Sequence, residues 1–112
     1  MSRSDRDRLL DVLDAGTAIA VHLQRGPLSD GLVFDAVRAR LIGIGEAVKD
    51  VSTELLSQQP MIPWRQVAAM RDQLAHRYLD TSHAIVAHTV GPDLAELLAA
   101  TRSLLAALDA SS

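Results

Sequence analysis

The sequence predicts an all-α fold, an antiparallel up-and-down helical bundle of four to five helices. Three observations predict it. Apolar residues recur at three- and four-residue steps, Gly and Pro cut the chain into helix-length segments, and no segment sustains the period-two alternation of a half-buried strand. The cuts fall at Gly26-Pro27, at residues 60–63 with a proline at each end, and at Gly91-Pro92. Loops this short make consecutive helices antiparallel neighbours.

The first helix is expected over residues 4–25. Ser4 caps it, with Asp7 three residues on as in a capping box. Leu9, Val12, Leu13, Ala20 and Leu23 share a face, and Gly26 is placed to end the helix in a left-handed turn. The second helix is expected from Asp30 to Ser57. Phe34, Val37, Leu41, Ile44, Val48, Val51 and Leu55 form an unbroken heptad seam along it. Gly43 and Gly45 flank that seam at Ile44, and each costs about 1 kcal/mol against Ala in a helix interior. Close approach of another helix backbone would offset that cost; simple tolerance is the alternative. The third helix begins at Pro63, a residue suited to the first helical position, and turns Val67, Met70, Leu74 and Tyr78 inward. A fourth, short helix begins after Ser82 as its cap and stops before Gly91. A fifth starts at Pro92 and buries Leu94, Leu97, Leu98, Leu105 and Leu108.

A chain of 112 residues fits one domain, residues 1–112, and a domain of that size buries roughly two thirds of the surface its unfolded chain exposes. It needs neither disulfide nor metal to fold. There is no cysteine, hence no thiol nucleophile and no Cys-ligated zinc. The apolar share is 48%, but no run reaches the length of a membrane span. The charged stretch from Met1 to Arg8 is unlike a signal peptide. The expectation is a cytoplasmic protein with no membrane partner. A formal net charge of −3 argues against a general nucleic-acid coating protein, and 3% aromatics argue against a base-stacking platform. A local cationic stretch stands out all the same: residues 64–78 hold Arg65, Arg71 and Arg77 against Asp72 alone.

That stretch contains Arg71-Asp72-Gln73-Leu74-Ala75-His76-Arg77-Tyr78. Arg, four residues, then His is a weak signal by itself. Requiring the chain's single Tyr two positions later makes it rarer by about a hundredfold. On an ideal helix Tyr78 shares a face with Arg71, whereas His76 points about 140° away. The three converge if the helix ends near His76, which Asp80-Thr81-Ser82 favour, or if two subunits of a symmetric dimer share one cleft. An Arg/His pair without a metal set suits RNA cleavage by its own 2′-hydroxyl. Histidine moves protons near neutral pH, arginine stabilises the charge of the phosphorane-like transition state, and RNA supplies the nucleophile. The bland reading stands beside it: Arg71 bridges Asp72 or another carboxylate, and His76 caps a helix end.

Other constellations carry less. His22, His83 and His88 lack metal-ligand spacing and are expected to be surface or core histidines. Ser29 and Ser82 look like caps. Asp5, Asp7, Asp11 and Asp14 are expected to form a solvated helix face. No cofactor and no metal are expected.

Several motifs, in order, resemble HepT-like toxins of the HEPN superfamily. Asp35-Ala36-Val37 followed by Ile44-Gly45-Glu46-Ala47-Val48-Lys49 resembles their second-helix signature. Pro60-Met61-Ile62-Pro63-Trp64-Arg65 is similar to their P-x-I-P-W-R turn. Met70-Arg71, Leu74, His76 and Tyr78 match the R-x4-H-x-Y motif, with Ile85-Val86 and Asp93-Leu94 following. The resemblance spans residues 6–108. It implies a homodimeric bundle acting as a metal-independent ribonuclease, the toxin of a type VII-like toxin–antitoxin pair. Arg71 and His76 would be catalytic, with Arg77 and Glu46 supporting. The partner would be an MntA-type nucleotidyltransferase antitoxin that attaches AMP to Tyr78. Some relatives of this kind were described only as substrate-binding subunits of a nucleotidyltransferase, so a non-catalytic docking subunit is the alternative. The sequence departs from the pattern at Arg77, where Gly is frequent, at Leu79 for Phe, and at Ala87 for Trp. Arg77 adds charge beside the motif, for RNA phosphate or for a partner.

Overall fold

The computed structural model describes residues 4–76 and 79–111, with backbone alone at 79, 80 and 111. The described residues form six helices: α1 Asp5–Arg25, α2 Gly31–Lys49, α3 Thr53–Leu56, α4 Trp64–His76, α5 Leu79–Thr89 and α6 Pro92–Ser111. Five are full helices and α3 is one turn, so the all-α bundle expected from the sequence is the fold.

Caps fix where the helices begin. The Ser4 hydroxyl accepts from the Asp7 amide at the start of α1, and the Asp30 carboxylate accepts from the Leu32 and Val33 amides at the start of α2. Asp30 therefore takes the role expected of Ser29. Gly26 ends α1 with φ 170° and ψ 175°, an extended backbone instead of the expected left-handed turn. The second helix is shorter than its seam implied. It stops at Lys49, and after a break the Ser52 hydroxyl caps α3 by accepting from the Leu55 amide. Asp5 reaches across to accept from the Ser52 amide at 3.2 Å, so it is not simply part of a solvated face; Asp7 and Asp14 are exposed.

The heptad seam forms the core as expected, with Phe34, Val37, Leu41, Ile44, Val48, Val51 and Leu55 all buried. The α1 face meeting it runs through Leu9, Val12, Ala15 and Ile19; Ala20 faces solvent. Neighbours are antiparallel. Arg6 pairs with Asp109 at one end of α1 and α6, and Gly16 lies against Leu98 further along. Between α2 and α4, Gly45 faces Val67 and Arg71, and Arg38 reaches Leu74. The α2 helix is thus the central post, packed against α1, α4 and α5. Among the described residues no helix is long and apolar enough to cross a membrane.

Ser82 corrects another expectation. It is buried inside α5, which begins at Leu79, so it is not a cap. The next residue, His83, stacks on Phe34 with ring centroids 3.8 Å apart and planes 11° apart, a packing role of the expected kind.

Candidate active site

The turn before α4 is tied by its tryptophan. The Trp64 indole N–H donates to the Gln59 carbonyl at 2.9 Å, closing residues 59–64 into a compact entry. From there α4 lies tightly on α2. A Cβ at Gly45 would sit 2.9 Å from the Arg71 amide nitrogen and 3.0 Å from the Val67 carbonyl oxygen. Only a residue without a side chain allows that approach. Gly45 thus has the packing reason expected of it, while Gly43 has open space around it.

This contact roots Arg71 against α2 and sends its side chain outward. Arg71 Nε pairs with Glu46 Oε2 at 2.9 Å and Nη1 with Asp72 Oδ1 at 2.7 Å. The guanidinium is thereby held between two carboxylates, as the bland reading of the sequence allowed. Arginine stays charged in proteins, and the hydrogen bond with Asp72, then the field of Glu46, raises the Arg71 pKa further. The same bond lowers the Asp72 pKa, with smaller help from the nearby positive charge of Arg71, His76 and Lys49. Side-chain exposure of 42% for Arg71, 53% for Glu46 and 72% for Asp72 keeps both pairs in water, where such bridges contribute little stability. An arriving phosphodiester can displace them, because it offers the guanidinium charge-assisted, two-pronged hydrogen bonds.

His76 is the last residue of α4 and is exposed. Arg77 and Tyr78, both candidate site residues, lie outside the described residues. One residue escaped sequence reasoning: half-buried Arg38 on α2 donates from Nε to the Leu74 carbonyl at 3.1 Å. Its spacing of seven from Gly45 was a usable signal, since residues one heptad apart share a face.

A family model described as Ribonuclease HepT-like matches residues 18–104. The chain belongs to this HepT-like ribonuclease family. It is 34% identical over 102 residues to "Probable ribonuclease HepT" of Thermococcus cleftensis, covering 87% of this chain and 92% of that protein. It is also 34% identical over 62 residues to "Putative RNase TTE0752" of Caldanaerobacter subterraneus subsp. tengcongensis, 55% of each chain. No solved structure matches. In this HepT-like chain Arg38, Glu46, Arg71 and His76 all fall within the family match.

Proposed function

We propose that this HepT-like chain is an RNA endonuclease, the cytoplasmic toxin of a toxin–antitoxin pair, acting without a metal as a symmetric homodimer. The carrying observation is an exposed, charged Arg71 held by displaceable carboxylates on α4, the helix that also carries exposed His76, in a chain of a ribonuclease family. In the reaction the RNA 2′-oxygen attacks the adjacent phosphorus and the bond to the 5′-oxygen breaks. A 2′,3′-cyclic phosphate and a 5′-hydroxyl result. His76 takes the proton from the 2′-hydroxyl or returns one to the 5′-oxygen. A twofold interface uses the same patch on both subunits, so a cleft at the end of α4 would supply one His76 for each task. Arg71 neutralises charge gathering on the phosphate oxygens.

Control in this reading comes from an MntA-type nucleotidyltransferase antitoxin. The Tyr78 phenol oxygen attacks the α-phosphorus of ATP, pyrophosphate leaves, and the resulting tyrosyl-AMP occupies the RNA site beside Arg71.

The second reading is a non-catalytic subunit that docks the nucleotidyltransferase. The engagement of Arg71 by both Glu46 and Asp72 favours it, since a docking surface needs no free guanidinium. Expression without a partner separates the two. The toxin reading expects growth arrest that Arg71→Ala and His76→Ala each relieve while helical content is unchanged. Arrest that survives both substitutions, or no arrest at all, supports the docking subunit.

A further inference from the structure

We propose that Arg38 is a second phosphate-binding residue of this site, holding a backbone phosphate of single-stranded RNA at the level of the α2–α4 seam next to Arg71. The inference rests on the ribonuclease reading above. Arg38 and Glu46 are eight residues apart on α2, roughly 12 Å at the ideal rise, and both reach α4. Glu46 meets Arg71, and Arg38 meets the Leu74 carbonyl. Leu74 lies three residues beyond Arg71, roughly 4.5 Å along the helix, and two before His76. Along the α4 axis the contact of Arg38 therefore falls between the positions of the two residues assigned to chemistry.

Its bonding is unlike that of Arg71. Among the described residues Arg38 forms no ion pair with an Asp or Glu, and Nε on the Leu74 carbonyl is its one polar contact with them. The Nε contact gives the Leu74 carbonyl a side-chain donor and fixes the Arg38 side chain. A neutral donor would suffice for that. Arg38 brings a full charge, and its Nη1 and Nη2 donors remain uncommitted toward the described residues. The negative end of the α4 dipole offsets only part of that charge. Taking a charge out of water without a partner is costly; among the described residues no carboxylate meets Arg38, and an anion can take that place.

Charge balance adds a second argument. Arg71 with Glu46 and Asp72 carries one positive charge against two negative, so that cluster alone repels a phosphodiester. Arg38 on the same seam, together with Lys49 near Asp72, adds positive charge that offsets it. Its planar fork matches a phosphate held by two hydrogen bonds.

The chain carrying His76→Ala, which should bind RNA without cutting it, allows binding to be measured at equilibrium. The probe is a fluorescein-labelled single-stranded RNA oligonucleotide of mixed sequence, titrated by anisotropy over a range of salt concentrations. Each phosphate contact on a single strand contributes about 0.7 to the slope of log affinity against log salt. Adding Arg38→Gln should lower the slope by about 0.7, and adding Arg38→Lys should retain it. A role confined to holding the end of α4 would change the melting temperature and leave the slope alone. An unchanged slope in Arg38→Gln overturns the assignment, as does an equal loss in Arg38→Lys at native helical content. If the His76→Ala parent shows no salt-dependent RNA binding, the ribonuclease reading fails, and this assignment with it.

Discussion

Arg71 on α4 and Glu46 on α2 meet across the seam with Nε 2.9 Å from Oε2, so the guanidinium assigned to RNA is held by an acid before RNA arrives. The carboxylate competes with phosphate for the same donor. Glu46→Gln keeps the shape and an acceptor oxygen but removes the charge. RNA should then bind severalfold more tightly, read as a lower KM, with no measurable change in thermal midpoint, because exposed pairs contribute little stability. A KM that is unchanged or higher would show that Glu46 orients Arg71 instead of competing for it.

Asp72 gives the pair a pH signature. Its pKa is lowered in the folded chain, chiefly by the hydrogen bond from Arg71. Such a group adds stability above its unfolded pKa, and that contribution disappears as pH falls through the lowered folded value. The Arg71–Asp72 contact should therefore persist below the ordinary carboxylate range. Carbon-13 NMR of the Asp72 carboxyl should titrate below that range in the wild type and move up toward it in Arg71→Ala. Equal midpoints in the two proteins would mean that the contact does not form in solution.

Two glycines on one helix should respond oppositely to alanine. At Gly45 the added Cβ meets α4 backbone at 2.9 and 3.0 Å, atoms that move only if the helices separate. Gly45→Ala should cost about 1–3 kcal/mol and reduce RNA cleavage by shifting the root of Arg71. At Gly43 nothing lies within 4 Å, so Gly43→Ala should stabilise by about 1 kcal/mol through helix propensity. Urea denaturation reads both. A Gly45→Ala protein as stable as wild type would refute the close α2–α4 contact.

These glycines show what the sequence could disclose. The heptad seam announced the core, and all seven of its residues are buried. Periodicity could not announce the break after Lys49, because Val51 and Leu55 keep the phase of the seam across it; the break depends on the Ser52 cap. Ser82 looked like a cap because its residue type favours caps, but burial against neighbouring helices decided its place. At the site, residue spacing singled out Arg71 and His76. The partners of Arg71 arise from helix pairing, which brings Glu46 from 25 positions earlier in the chain. Arg38 shares a heptad face with Gly45, but its contact was not legible: it lies 36 residues away and is with a backbone carbonyl, which no side-chain motif records.

Tyr78 is the chain's only tyrosine, so AMP transfer to a phenol has one possible acceptor. Incubation with an MntA-type partner, ATP and Mg²⁺ should add whole AMP units to the wild type and none to Tyr78→Phe, read by intact mass. Equal labelling of the two proteins would remove Tyr78 as the acceptor.

The most direct test of the central claim is cleavage of RNA by the purified chain in EDTA, followed by analysis of the new ends. The account predicts cleavage with chelator present, fragments ending in 2′,3′-cyclic phosphate, and a loss of at least about a hundredfold in His76→Ala, the scale of one general acid–base group. RNA left intact by the wild type, or cut equally well by His76→Ala, would contradict it.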